Sequence, residues 1–234
     1  LPEYADCVKQ LQDASEPVDL IDTLIKHLDT SITAVLHSDS SLSQSISLVE
    51  TFESHFRDLI DISEMMDRFN VLVNNQVQRS IDDIFNSTDL DDDIFNQLMA
   101  LYLELNGPSP NDAQDTVFKT IHDFILSGTD HLISDLLHFY LQLKDNNANR
   151  EHQNTIIADV VDRGMDKIKT SSAQPIKRIQ SFASFYERLI SHEVSDDYLT
   201  KILDAIQIII TDKVTETVNT PSLPMLAQVN IISE

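Results

Sequence analysis

The chain has 234 residues with only 3 Gly and no Trp, where average usage would give about 16 glycines. Dinucleotide-binding loops and all-β folds need glycine wherever the backbone turns sharply or approaches a phosphate, so this composition argues against both classes. The formal net charge of −23 repels nucleic acid, while 41% hydrophobic residues suffice for a folded core, so we expect a globular protein without a nucleic-acid partner.

The apolar residues of the N-terminal part recur at three- and four-residue steps, which is the spacing of one helix face. Cys7 lies four residues before Leu11 on such a stripe, so we expect it to be a small packed side chain. A helix is predicted over 17–37, where Pro17 falls in the first turn and lacks an N–H that would have no partner there.

The helical period then continues over 42–85 without any Gly or Pro. A straight helix of this length would measure about 69 Å, which is long for a compact domain of this size. The apolar stripe changes phase near 60–63, and Asp61 and Glu64 have the spacing of a capping box. We therefore expect two helices, or one bent helix, rather than a straight rod.

The next helix boundaries are marked by capping residues, Gly and Pro. Thr88 is the predicted N-cap of a helix that ends at Gly107-Pro108. Ser109-Pro110 begins the following helix, which ends at Gly128. A further helix ends at the polar run 145–149. Short connections of this kind predict antiparallel neighbours.

Three more helices are predicted in the last third of the chain, over 150–170, over 175–190 and after Ser195. The last of them carries apolar residues on most faces over 199–210, so we expect it in the centre of the fold. Prolines prevent residues 221–234 from continuing as a helix. The apolar side chains of this segment predict an extended tail that docks on the folded body.

Eight or nine helices of this kind predict an all-α protein. We expect antiparallel helices, either in an elongated bundle or in an irregular HEAT-like helical-repeat array, since no fixed repeat of the tetratricopeptide or ankyrin kind occurs. The predicted organisation is one all-helical domain over 1–220 followed by the non-helical tail 221–234. The chain begins without Met and without a signal-peptide pattern, so we expect a fragment or subunit of something larger.

The single cysteine and the longest apolar stretch bear on location. One Cys cannot form an intrachain disulfide, which favours an intracellular, cytoplasmic location. The apolar run 202–210 is interrupted by Asp204 and Gln207, and it is far shorter than the about 20 apolar residues that span a bilayer. No transmembrane segment is therefore predicted.

No catalytic, cofactor-binding or metal-binding set is predicted. The acidic run 89–93 departs from the EF-hand pattern, because Ile94 and Ala100 stand where Gly and Glu are required. We interpret it as a group of carboxylates stabilised by a helix N-terminus. His131 and His138 share a helix face with Asp135 between them, which is compatible with a surface metal site and equally with ordinary polar positions, and no His-Glu-x-x-His zinc motif occurs. Neither a cofactor nor enzymatic activity is expected.

The first half of the chain is strongly acidic, and one basic cluster lies in the second half. Residues 1–118 carry 5 basic and 23 acidic side chains, so a basic partner is a candidate for this half. The basic cluster flanks a predicted helix connection and could hold an acidic peptide, a lipid phosphate or RNA phosphate, or neutralise the acidic half. Gly164 beside it predicts a partly exposed turn. The predicted partner-binding residues of this cluster are Arg163, Lys167, Lys169, Lys177 and Arg178.

These patterns predict a non-enzymatic helical scaffold or adaptor, part of an intracellular complex, that binds partner proteins or peptide segments in grooves between helices. The tail 221–234 is a candidate self-ligand for such a groove. The alternative is an all-helical carrier of an apolar ligand such as a lipid, since ten Phe and many Ile could line a cavity. An enzyme would need a buried group of Asp, Glu or His that no spacing predicts.

Overall fold

The computed structural model describes residues 1–14, 18–38, 41–87, 91–105, 112–128 and 132–218. These residues form ten α-helices and no strands, which confirms the predicted all-α class. The helices are α1 (Pro2–Asp13), α2 (Val18–Leu36), α3 (Leu42–Phe56), α4 (Ser63–Ser87), α5 (Asp91–Glu104), α6 (Asp112–Ser127), α7 (Leu132–Asp145), α8 (Arg150–Lys169), α9 (Pro175–Ser191) and α10 (Asp196–Val218).

The described residues contain more helices than the eight or nine predicted, and α1 accounts for the difference. Only Ala5 and Val8 of this helix are buried, so its apolar stripe is sparse. Pro2 stands at the start of the helix, where its missing N–H costs nothing. Cys7 lies between the buried positions and is exposed. The expectation of a packed cysteine is therefore wrong.

The break predicted near 60–63 is confirmed, because a non-helical segment separates α3 from α4. One carboxylate oxygen of Asp61 accepts hydrogen bonds from the hydroxyl of Ser63 at 2.7 Å and from its N–H at 3.1 Å. Both bonds hold the pKa of Asp61 below its usual range. Glu64 turns instead to Arg68 at 3.3 Å, so the capping box predicted for this pair does not form.

Gly128 follows α6 directly, as predicted, and its N–H donates to the carbonyl of Ile125 at 3.1 Å. This hydrogen bond closes the last turn of the helix. The boundaries predicted at Thr88 and over 107–110, together with the tail 221–234, lie outside the described residues.

Two other helices of the second half end without glycine. Asn147 after α7 and Glu193 after α9 adopt left-handed backbone conformations, with φ of 49° and 54°. The residue after each donates its N–H to the carbonyl five positions earlier, at 2.9 and 3.2 Å. Lys144 of α7 reaches the end of α9, where it donates to the His192 carbonyl and to the Glu193 carboxylate, both at 2.9 Å.

The chain groups into two compact units, Leu1–Phe124 and Ile125–Glu234. In the first unit α2 packs against α1, α3 and α4, while α4 also packs against α3 and α5. In the second unit α8 packs against α7, α9 and α10, and α9 packs against α10. The single domain over 1–220 stays a prediction.

An aromatic cluster fixes the pairing of α3 with α4 in the first unit. Phe52 stacks on Phe56 with ring centroids 4.9 Å apart and meets Phe69 of α4 edge-on at 5.4 Å. All three side chains are completely buried. Arg68 on the same helix pairs with Asp29 of α2 at 2.9 Å. These contacts hold α3 beside α4 and so position the groove described below.

Gly164 sits at the close approach of α8 to α9 in the second unit. The residue is buried inside α8, and a Cβ atom built on it would lie 2.7 Å from Cε1 of the Phe185 ring. The partly exposed turn expected at Gly164 is therefore wrong. The ring of Phe185 occupies the space that a side chain at this position would need.

Helix α10 has one buried face rather than a central position. Leu199 and Ile202 are buried, whereas Leu203 and Ile210 are each 47% exposed and Ile208 is 60% exposed. The expectation of central burial is thus wrong for this helix. A mostly apolar stretch of sequence does not distinguish a helix that is buried on all sides from one that leaves apolar residues exposed.

Candidate partner-binding site

The predicted basic cluster lies on both sides of the connection between α8 and α9. Three of its cations stand on the last two turns of α8 and two on the first turn of α9. All are exposed except Arg178, which is half-buried. Arg163 pairs within its own helix, with Asp159 at 3.3 Å. The members are Arg163, Lys167, Lys169, Lys177 and Arg178.

Helix dipoles account for only part of this cluster. Lys167 and Lys169 occupy the last turn of α8, where the negative end of the helix stabilises cations. Lys177 and Arg178 occupy the first turn of α9, which has no acidic residue and no side-chain cap. The dipole disfavours cations at that end. Arg178 also buries its Nε without a hydrogen-bond partner. Partner binding by the cluster stays a prediction.

The acidic run behaves as a helix start. Asp91, Asp92 and Asp93 form the exposed first turn of α5, where the positive end of the dipole favours carboxylates. Asp89 and His131 lie outside the described residues. In the part of the chain that the structure describes, no three His, Cys, Asp or Glu side chains come together in a way that could hold a metal ion.

A cavity of about 250 Å³ opens between α3, α4 and the first turn of α6, all in the first unit. Four residues from α3 and four from α4 line it at helical spacing, so one face of each helix forms a wall. We call this cavity the acidic groove. Its lining residues are Ile46, Val49, Glu50, Glu53, Met66, Asn70, Val73, Asn74, Asp112 and Ala113.

The acidic groove combines an apolar floor with carboxylates. Val49, Val73 and Ala113 are buried beneath it. Of its three carboxylates, Glu53 pairs with Arg57. Neither of the other two, at positions 50 and 112, takes part in an ion pair with any residue that the structure describes. Residues 1–124 carry 24 acidic and 6 basic side chains, so the surroundings add to the negative potential at the groove.

The acidic groove could not be located from the sequence, although two of its features are visible there. Glu50 and Glu53 lie on the same face of α3 as Ile46. The two carboxylates interrupt the apolar pattern of that face. Asn70 and Asn74 form a polar pair four residues apart on α4. The sequence does not show that these faces meet, because that depends on how the helices pack.

None of the described helices is long and apolar enough to cross a membrane. Comparison of the sequence with protein-family models, with curated proteins and with solved structures found no match. The acidic groove and the exposed surfaces therefore carry the functional argument.

Proposed function

We propose that the chain is a non-enzymatic helical adaptor that acts inside the cell and binds a basic, amphipathic segment of a partner protein in the acidic groove. The observation that carries this proposal is the pair of carboxylates, Glu50 and Asp112, that border an apolar floor without an ion-pair partner among the described residues. An amphipathic helix places apolar anchors and Lys or Arg at neighbouring positions, which matches this arrangement.

Each part of the groove has a role in such binding. The apolar floor around Val49 and Val73 takes an aliphatic anchor out of water. Glu50 and Asp112 pair with the cations that flank that anchor. Asn70 and Asn74 offer amide donors and acceptors to polar groups of the segment. Long-range attraction between the acidic unit and a basic segment speeds their encounter.

The size and lining of the groove favour side chains of a peptide over a lipid. Its volume of about 250 Å³ lies below the roughly 300–1,000 Å³ typical of small-molecule pockets. Half of its lining residues are carboxylates or carboxamides, whereas an apolar ligand needs an apolar lining. The lipid-carrier alternative stays a prediction.

The proposal predicts that charge at the groove controls peptide binding. The probes are labelled amphipathic peptides of equal length and identical leucine stripe, with Lys, Gln or Glu on the polar face, followed by fluorescence anisotropy. We expect the Lys peptide to bind best, and Glu50→Gln with Asp112→Asn to weaken it about two- to thirtyfold, since each exposed pair contributes about 0.2–1 kcal/mol. A fluorescent fatty acid, tested in parallel, probes the alternative function.

The matched control removes the same charge elsewhere in the first unit. Asp67 and Asp83 are exposed on α4 and do not line the groove. We expect Asp67→Asn with Asp83→Asn to change the affinity for the Lys peptide much less than the groove variant does. Equal weakening by both pairs would show that net charge, rather than the acidic groove, attracts the peptide. Binding of the Lys and Glu peptides with equal affinity would contradict the proposal.

A further inference from the structure

An apolar stripe runs along the edge of the buried face of α10. Leu203 and Ile210 are seven residues apart, so they lie on the same side of the helix, and each is 47% exposed. The half-buried Ile206 and Val214 continue the stripe at three- and four-residue steps. We call these four residues the α10 stripe. Ile208, which is 60% exposed, lies on the other side of the same helix.

We propose that residues 221–234 of the same chain dock on the α10 stripe. The segment begins three residues after α10 ends at Val218. It contains six large apolar side chains, no Lys or Arg, and a single acidic residue, Glu234. Its chemistry therefore matches an apolar surface, and docking removes apolar area from water on both partners. This proposal does not depend on the acidic groove.

The segment is long enough to follow the helix back. Val218 and Leu203 are about 22 Å apart along α10, at a rise of 1.5 Å per residue. The 13 residues from Val218 to Ile231 span up to about 43 Å when extended. Pro221 and Pro224 disfavour a continued helix, which lets the chain reverse direction. Leu226 lies eight residues after Val218, so it reaches up to about 26 Å, which still includes every member of the stripe.

The small size of the α10 stripe favours a ligand from the same chain over a second copy. A stable interface between separate proteins buries about 1,200–2,000 Å², which is far more than four side chains of one helix offer. A tethered segment docks at millimolar effective concentration, so a small apolar surface is enough to hold it. The experiment therefore has to distinguish docking of the segment within one chain from its docking on a second copy.

The experiment uses the absence of Trp in the full chain. The variant Leu226→Trp introduces a single fluorophore into the segment. We expect blue-shifted emission and several-fold weaker quenching by iodide than for a peptide with the sequence of residues 219–234 and the same Trp. When Leu203→Gln and Ile210→Gln are added, we expect the Trp of the full chain to show the same emission and the same iodide quenching as the Trp of the peptide. Circular dichroism checks that the helices are retained.

The control variant is Ile208→Gln, which removes an exposed isoleucine from the other side of α10. We expect it to leave the fluorescence of Leu226→Trp unchanged. Emission like that of the peptide in the Leu226→Trp variant would overturn the proposal. Blue-shifted emission that Leu203→Gln and Ile210→Gln leave unchanged would overturn it as well. Sedimentation at several protein concentrations shows whether the docked segment comes from the same chain or from a second copy. A monomer supports docking within the chain, whereas fluorescence that follows dimer formation shows a second copy instead.

Discussion

Gly164 shows how a single missing side chain sets the distance between two helices. Glycine in a helix interior is unfavourable by itself, since alanine is the better helix former by about 1 kcal/mol. Here the ring of Phe185 fills the space next to the Cα atom. The residue therefore exchanges helix propensity for close packing of α8 against α9.

We predict that Gly164→Ala lowers the free energy of unfolding by about 1 kcal/mol. Overpacking a core costs about 1–3 kcal/mol, which outweighs the gain of about 1 kcal/mol in helix propensity. Urea denaturation followed by circular dichroism measures the difference. Adding Phe185→Leu removes the overlap, so the double variant is expected to lose less from the alanine than the single variant does.

The matched control is Gly128→Ala at the end of α6. Among the residues that the structure describes, a Cβ atom there would meet only the Ile125 carbonyl oxygen, at 3.4 Å, which is an ordinary contact. We expect a change within about 0.5 kcal/mol, as for most substitutions away from special features. If Gly164→Ala stabilised the protein instead, the ring of Phe185 would be free to move aside, and the packing argument would fail.

At the scale of elements, the end of α9 depends on a contact from α7. Lys144 donates to the carbonyl of His192, directly after α9, and to the carboxylate of Glu193, whose backbone is left-handed. The ammonium group beside it holds the pKa of Glu193 below its usual value of 4.5. A carboxyl group with a lowered pKa in the folded state stabilises the fold above its unfolded pKa and loses that effect as the pH falls.

We predict that the stability difference between the native chain and Glu193→Gln depends on pH in this direction. The native chain is expected to be the more stable one at pH 7. The difference is expected to shrink as the pH falls below about 5 and to vanish once the carboxyl group is protonated in both states. Urea denaturation at a series of pH values provides the measurement. Glu187→Gln, at an exposed position of α9, is the control.

A difference that grew towards acid pH would contradict the assigned role of Lys144. A large effect of the Glu187 control would also contradict it, because no ion pair is described for that carboxylate among the residues of the structure.

Helix boundaries were predictable where the residues next to the boundary determine it. The break before α4 and the stop at Gly128 follow from residues within a few positions of the boundary. The stops at Asn147 and Glu193 use left-handed residues other than glycine, so a search for Gly and Pro misses their mechanism. The sparse stripe of α1 buries only Ala5 and Val8, which left this helix out of the predicted number.

At the scale of the whole molecule, the charge of −23 opposes the compact state through self-repulsion. We predict that the free energy of unfolding rises when NaCl increases from about 0.01 M to about 0.1 M, because the screening length falls from about 30 Å to about 10 Å. Urea denaturation at fixed pH measures this dependence. The variant Asp67→Asn with Asp83→Asn lowers the repulsion, so we expect its free energy of unfolding to depend less on salt.

A stability that decreased with salt would contradict this view. It would mean that ion pairs, such as that of Arg68 with Asp29 at 2.9 Å, stabilise the fold by more than the repulsion between the excess carboxylates destabilises it.

The candidate site was less predictable than the fold. Composition and periodicity indicated an all-α chain with an acidic first half, because both properties follow from residue types alone. Asp112 and Glu50 line the same groove, although 62 positions separate them in the chain. The aromatic contact between Phe52 and Phe69 fixes only the two walls of the groove that α3 and α4 form. Packing of this kind is a tertiary property, and helical spacing does not encode which faces meet.

The exposure of Cys7 has a practical consequence for any measurement of assembly. It is the only thiol in 234 residues, and it is exposed on α1. A maleimide dye or spin label can therefore be attached at one defined position without any substitution. The same thiol permits covalent pairing of two chains in air. A reducing agent, or Cys7→Ser, is needed before a doubled mass can be attributed to non-covalent association.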